Sequence, residues 1–122
     1  MVEVVDIVGE VLDEHGITGT VRATYRAFAR QLLTLWRKGR AQVRAVACDP
    51  ITAKGDLARF AIAGLRARVY KHYKDNCVTV TASVKSEEQL VRAYCIIYGL
   101  KREVLESIRQ RLAMEEQIVV IL

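Results

Sequence analysis

The only tryptophan of the chain, Trp36, is followed at once by Arg37, Lys38, Arg40 and Arg44. A flat ring beside several cations suits one chemistry above others: the cations neutralise phosphates while the ring stacks on an unpaired base. A second group has the same mixture. Read as part of one helix, Arg59, Arg66, Tyr70 and Tyr73 share a face at i, i+7, i+11 and i+14, with Lys74 at its edge. Stacking is worth about 1 to 3 kcal/mol per base, so two or three rings are enough to matter. The bland alternative is that Tyr70 and Tyr73 are half-buried with their hydroxyls outward. Arg22, Arg26 and Arg30 form a secondary row with Arg37 on one sector of the preceding helix. No acid occurs between Arg22 and Arg44, whereas an ordinary solvated face mixes both signs.

The net charge of +5 hides a strong partition. Met1 to Val21 carries five acids and no Lys or Arg, Arg22 to Lys74 carries thirteen bases and two acids, and the remainder carries six bases and seven acids. The basic character therefore belongs to the middle of the chain, as a surface for polyanions requires.

Catalytic motifs are absent. The chain has no GxSxG, no Walker loop and no GxGxxG. A metal-dependent nuclease needs several acids beside the basic face, and the basic segment offers only Asp49 and Asp56. His15 and His72 lie far apart, and the nearest mixed pair, His72 and Cys77, straddles a predicted helix end, so neither a metal site nor a cofactor is expected. Cys48, Cys77 and Cys95 form no CxxC and read as buried free thiols. No run approaches the roughly 18 apolar residues of a membrane span, and the acidic N-terminus lacks the basic flank of a signal peptide. The expectation is a non-enzymatic cytoplasmic protein with no membrane partner.

The elements that must position these residues are legible from periodicity. At 122 residues the chain is read as one domain, 1-122. VEVVDIVGEVLDEHG predicts an acidic N-terminal helix stopped by Gly16, either covering the core or docking on a neighbour. A second helix is expected from about Thr20, as N-cap, to Lys38, with Gly39 as its stop. Val21, Tyr25, Phe28, Leu32 and Leu35 mark its apolar sector, Trp36 sits on the shoulder nearest the arginines, and Leu33 projects among them. ITGTVRATY also alternates like a strand. AQVRAVAC predicts a strand closed by Asp49-Pro50, and a third helix follows from about Thr52 or Asp56 to Lys74. CVTVTASV is the clearest strand. Strand, helix, strand suggests a crossover within one sheet, with antiparallel pairing open if another strand lies between. Ser86-Glu87-Glu88-Gln89 is a capping box for a fourth helix ending at Gly99. A fifth runs from about Lys101 to Gln117, before the apolar tail IVVIL, which is either an added strand or buried against another subunit. Tyr94 and Tyr98 read as core or interface residues. The fold class is thus α+β, a small β-sheet of a few strands covered by about five helices, expected to form a homodimer or homotetramer.

LVRAYCIIYGLKREVLESIRQRL looks like a helix-turn-helix, which would make the protein a regulator binding duplex DNA. Glu103 and Glu106 early in its second helix would face phosphates, so a plain helical hairpin is the better reading. A third class is an assembly protein whose basic surface meets an acidic protein partner. In its small Val/Arg-rich layout, in RQLLTLWRKGRAQVRAV and ARVYKHYKDNCVTVTASV, and in its helical end with an apolar tail, the chain resembles the crenarchaeal single-stranded DNA-binding proteins called ThermoDBP and their relatives. That resemblance implies an archaeal, oligomeric protein that binds single strands with little sequence specificity, in grooves or tunnels which assembly helps to form. The residues expected to bind come from spacing and charge, not from the resemblance.

Overall fold

Val4, Ile7, Val8, Val11 and Leu12 recur at helical spacing, and all five are buried on the inner face of helix α1, Val4–Glu14. The computed structural model describes residues 2 to 119. Gly16, in the left-handed region at φ 67°, stops α1, with the Ile17 N–H reaching back to the Leu12 carbonyl at 2.8 Å. Helix α2, Val21–Lys38, then buries Tyr25, Phe28, Leu32 and Leu35, and Gly39 ends it as its position predicts. ITGTVRATY is therefore the entry to a helix, not a strand. Thr20 precedes that helix without capping it, because its own backbone is already helical and its hydroxyl meets no backbone N–H there. Leu33 does not project among the arginines. It is buried, since neighbouring elements cover α2 over a wider arc than its own apolar sector.

Strand β2, Ala41–Ala47, alternates buried and exposed residues. Asp49 caps helix α3, Pro50–Ile62, by accepting from the Thr52 N–H at 2.8 Å and the Thr52 hydroxyl at 2.6 Å. Those bonds hold the Asp49 carboxyl below its ordinary range.

The largest departure from the sequence reading lies here. Helix α3 does not continue to Lys74. It stops at Gly64, φ 76°, where the Gly64 N–H bonds to the Ala61 carbonyl and the Leu65 N–H to the Phe60 carbonyl, both at 3.0 Å. Leu65 and Phe60 are both buried, completing a helix stop in which hydrogen bonds and an apolar contact act together. The released chain forms strand β3, Arg68–Lys71, so Arg59, Arg66, Tyr70 and Tyr73 do not share a helical face.

Strand β4, Val78–Val84, lies in the middle of the sheet in the order β2-β4-β3. It is antiparallel to both neighbours, in the registers Val43↔Ala82 and Val69↔Val80. The crossover through α3 is thus split: β2 and β3 run parallel, and the later strand β4 inserts between them. Sequential order and spatial order differ, so β2 and β4 pair directly and antiparallel.

Helix α4, Glu87–Tyr98, starts at its capping box, with Ser86 Oγ accepting from the Gln89 N–H and the Gln89 side chain accepting from the Lys85 N–H. Helix α5, Arg102–Ala113, follows Gly99. Helices α2, α3 and α4 pack on the sheet, while α1 and α5 pack together against α2. The acidic helix is therefore a cover on its own chain. Val2–Glu3 (β1) pairs in parallel with Ile118–Val119 (β5), so the start of IVVIL is an added strand within the subunit. Residues 120 to 122 of that tail lie outside the described residues. The fold is α+β, with five helices and a three-stranded antiparallel sheet among the described residues.

Gly64→Ala tests the helix stop. No atom lies within 4 Å of the added Cβ, so the cost is backbone strain alone. A loss of about 1 to 2 kcal/mol in chemical denaturation is expected.

Candidate nucleic-acid interface

Alternation along the strands leaves one sheet face open. Arg44 on β2, Thr81 on β4 and Arg68 on β3 are directly opposed in register and form one transverse row, with Val46, Thr79 and Tyr70 forming the next. Buried Val43, Val80, Ala82 and Val84 occupy the other face. Tyr98 of α4 braces the outer edge of this sheet: its hydroxyl accepts from the Arg44 N–H at 3.2 Å and donates to the Arg44 carbonyl. Burial pushes the Tyr98 phenol above its ordinary range, so it stays a donor. Tyr94 is buried edge-on against Phe28 and is a core residue as expected.

Strand β3 is short. It pairs with Val78 to Thr81 only, leaving Ala82 to Val84 without a partner on that side. At this notch a groove of about 870 Å³ opens between the end of α2 and the sheet. Gln31, Thr34 and Lys38 of α2 form one wall, Arg66, Arg68 and Tyr70 another, and Arg40, Gln42, Ser83 and Lys85 border the open end. Five cations and no acid line it. Among the described residues, none of these five cations makes a salt bridge.

The structure brings together only part of the expected set. Lys38, Arg40, Arg66 and Tyr70 line the groove, and Tyr70 is half-buried, 52% exposed, with part of its side chain open to the groove. Arg44 lies outside it on the continuous open face. Trp36 is 40% exposed, the shoulder position its spacing implies, but at 100° per residue it stands about 160° around α2 from both Thr34 and Lys38. Arg37 is exposed at the same helix end. Arg59 sits on α3, 3.5 Å from the buried Asp56. Tyr73, 99% exposed, and Lys74 occupy the loop between β3 and β4. Of the secondary row, Arg22 is consumed by Asp13 at 2.9 Å and the Ile17 carbonyl at 2.8 Å. Arg26 and Arg30 each keep a buried Nε without a hydrogen-bond partner among the described residues.

Arg68 and Lys85 were not among the expected residues. A signal for Arg68 was present: Arg68-Val69-Tyr70-Lys71 alternates polar and apolar or aromatic residues, and Gly64-Leu65 after an apolar helix is a stop signal. Extending the helix through Gly64 concealed both. Nothing local marks Lys85, whose place follows from the β4 register.

The helical hairpin α4–α5 behaves differently. Arg102 bonds to Glu88 at 2.9 Å, Arg109 to Glu87 and Glu106, and Arg111 to Glu10 and Glu14. The contact with Arg102 keeps Glu88 ionised to lower pH than an ordinary glutamate, and Glu14 holds Arg111 protonated. Arg102 and Arg109 are thus paired within this hairpin, and Arg111 with the acids of α1.

Two cysteines are not free thiols. Cys48 and Cys77 form a disulfide, because the β2–β4 register, whose last pair is Ala47↔Val78, sets them opposite each other one step further on. Cys95 is free and half-buried, and burial pushes its thiol above the usual range. No described helix is long and apolar enough to cross a membrane. No family model, curated protein or solved structure matches the chain.

Thiol titration in denaturant checks the pairing: one reactive group per chain is expected before reduction and three after it. Three groups before reduction would contradict the disulfide.

Proposed function

We propose that the groove binds single-stranded nucleic acid, which presents phosphates and bases side by side along one flexible strand.

 The observation that carries this reading is a groove lined by five cations without salt-bridge partners among the described residues, no acid and a half-exposed tyrosine. Lys38, Arg40, Arg66, Arg68 and Lys85 are placed to contact phosphates, and Tyr70 offers a ring on which an unpaired base stacks. Gln31, Thr34, Gln42 and Ser83 add uncharged polar groups that accept any base edge, in keeping with little sequence specificity. Arg44 extends the path across the open sheet face, whereas Tyr73 and Lys74 lie in the loop at the other end of the β3–β4 hairpin and Arg37 stands beside Lys38 outside the groove lining. Trp36 and Arg59 are peripheral to it, and Arg22, held by Asp13, is not part of it.

The helix-turn-helix reading is weakened by the same charges. Arg102, Arg109 and Arg111 are engaged by glutamates of α1, α4 and α5, so the hairpin offers few free cations to a duplex. Binding without catalysis, a cytoplasmic location and the likeness to the archaeal ThermoDBP proteins belong to this proposal. A disulfide inside the cell is unusual in mesophiles but common in hyperthermophilic archaea. Self-association as a dimer or tetramer also belongs to it. Ile51, Ala58 and Ile62 are exposed along one face of α3 at i, i+7 and i+11, an apolar strip suited to a second copy.

Fluorescence anisotropy with a labelled, unstructured oligonucleotide tests the reading. If all five cations meet phosphates, log K falls against log salt with a slope of about −3.5. Tyr70→Ala is expected to weaken binding by about 1 to 3 kcal/mol, and Tyr70→Phe to retain most of it. Arg66→Glu with Arg68→Glu should abolish binding while leaving the circular dichroism unchanged. Salt-insensitive binding, or equal binding by the double variant, refutes the groove as the site. A preference for duplex would favour the regulator, and binding of an acidic protein alone would favour the assembly role. Ile62→Glu is expected to lower the mass found by sedimentation if α3 is the contact between copies.

A further inference from the structure

We propose that the tip of the β3–β4 hairpin is a zinc-type metal site, available when the Cys48–Cys77 disulfide is reduced. The proposal does not rest on the nucleic-acid reading. His72, Asp75 and Cys77 each bring a ligand atom to within 4.8 Å of the others. Cys48 comes from the far end of β2, and its sulfur is bonded to that of Cys77, so reduction releases a second thiol beside the group as the candidate fourth ligand. A tetrahedral zinc ion with bonds of about 2.0 to 2.3 Å sets its ligand atoms roughly 3.3 to 3.8 Å apart. A small closure of the hairpin loop reaches that spacing.

The sequence reading dismissed His72 and Cys77 because it placed them across a helix end. They instead face each other at the ends of a short hairpin loop, with the His72 N–H bonded to the Cys77 carbonyl at 3.0 Å. Both imidazole nitrogens are engaged, Nε2 at 2.7 Å from the Thr79 hydroxyl and Nδ1 at 3.1 Å from Asp75. In a filled site Nε2–H would donate to Thr79 and Nδ1 would pass from the carboxylate to the metal. Asp75 is held in turn by accepting from the Cys77 N–H at 2.9 Å. Without a cation, this is a surface histidine paired with an aspartate. The arrival of Cys48, from the end of a different strand, against Cys77 of the same loop is what a solvated surface pair does not explain.

The disulfide and the metal exclude each other, because the sulfur of a disulfide lacks the thiolate charge that binds zinc. A dithiol reductant donates two electrons and two protons to the Cys48–Cys77 bond and is itself oxidised to a disulfide, leaving two thiols. Zn²⁺ then forms two zinc–sulfur bonds as both thiol protons pass to solvent. Two thiolates, the Asp75 carboxylate and neutral His72 leave the filled site with one net negative charge, close to Lys74 in the same loop. Both states tie the hairpin to the end of β2, so the metal replaces the covalent link when that link is cut.

The test uses the full chain, reduced with a dithiol, desalted without oxygen and titrated with Co²⁺ as an optical probe and then with Zn²⁺. One Co²⁺ per chain is expected, with the visible bands of tetrahedral cobalt and thiolate charge transfer, and Zn²⁺ should displace it. The oxidised protein and the Cys48→Ser, Cys77→Ser double variant should bind none, while Cys95→Ser should bind as the parent does. Thr79→Val should lower affinity about tenfold by releasing the imidazole. Cobalt uptake by the reduced chain no greater than by the double variant, or equal uptake by the oxidised protein, overturns the proposal. Should the reduced chain lose its circular dichroism signal, recovery on adding Zn²⁺ supports the site and failure to recover overturns it.

Discussion

Strand β4 takes hydrogen bonds on both sides, and its register on each side governs almost everything else in the molecule. Val80, Ala82 and Val84 must point into the core, so a slip of one residue would expose them and bury Thr79, Thr81 and Ser83. The same register aligns Arg44 and Arg68 across Thr81, sets Cys48 opposite Cys77, and leaves Ala82 to Val84 without a partner on the β3 side, beyond the first residue of that strand. The open face, the groove and the cross-strand link are therefore three consequences of one pairing. Tyr98 holds the outer edge of β2 with both hydrogen bonds of its hydroxyl, which limits further pairing at that edge.

Charge is divided by the tertiary structure more sharply than by the chain. The acidic N-terminal segment lies against the basic side chains of α5, so Glu10 and Glu14 meet Arg111 and the two excesses cancel locally. Glu87 and Glu88, placed at the start of α4 where negative charge suits the helix dipole, also reach Arg109 and Arg102. These exposed pairs contribute little to stability individually. Their effect is on the field: acids and bases compensate around α1, α4 and α5, while the bases around the groove have no acidic partner among the described residues. A polyanion would meet one signed surface instead of a mixed one.

The sequence was informative where a local rule was strong. The capping box at Ser86, the stops at Gly16, Gly39 and Gly99, and the alternation in β2 and β4 all appear where periodicity and turn chemistry place them. Failure came at Gly64, where a helical projection of spaced Arg and Tyr residues outweighed a glycine followed by leucine. Both patterns are compatible with the local residues alone. The decision belongs to Leu65, which gains burial against Phe60 only if the helix ends, and to β3, which gains a partner only once β4 is in place.

What the sequence determined by itself is therefore the five helices, the two longer strands, the α+β class and the segment in which the cations lie, because helix caps, period-two alternation and net charge act over a few residues. It also supplied Lys38, Arg40, Arg66 and Tyr70 as residues worth watching. Only the tertiary structure decided which side chains meet. Insertion of β4 between β2 and β3 brought residues from α2, β3 and β4 to one groove, set that groove on the side of α2 away from Trp36, and joined Cys48 to Cys77. The physical reason is that strand order and register are settled by burial and hydrogen bonding between segments distant in the chain, and no local pattern carries that information.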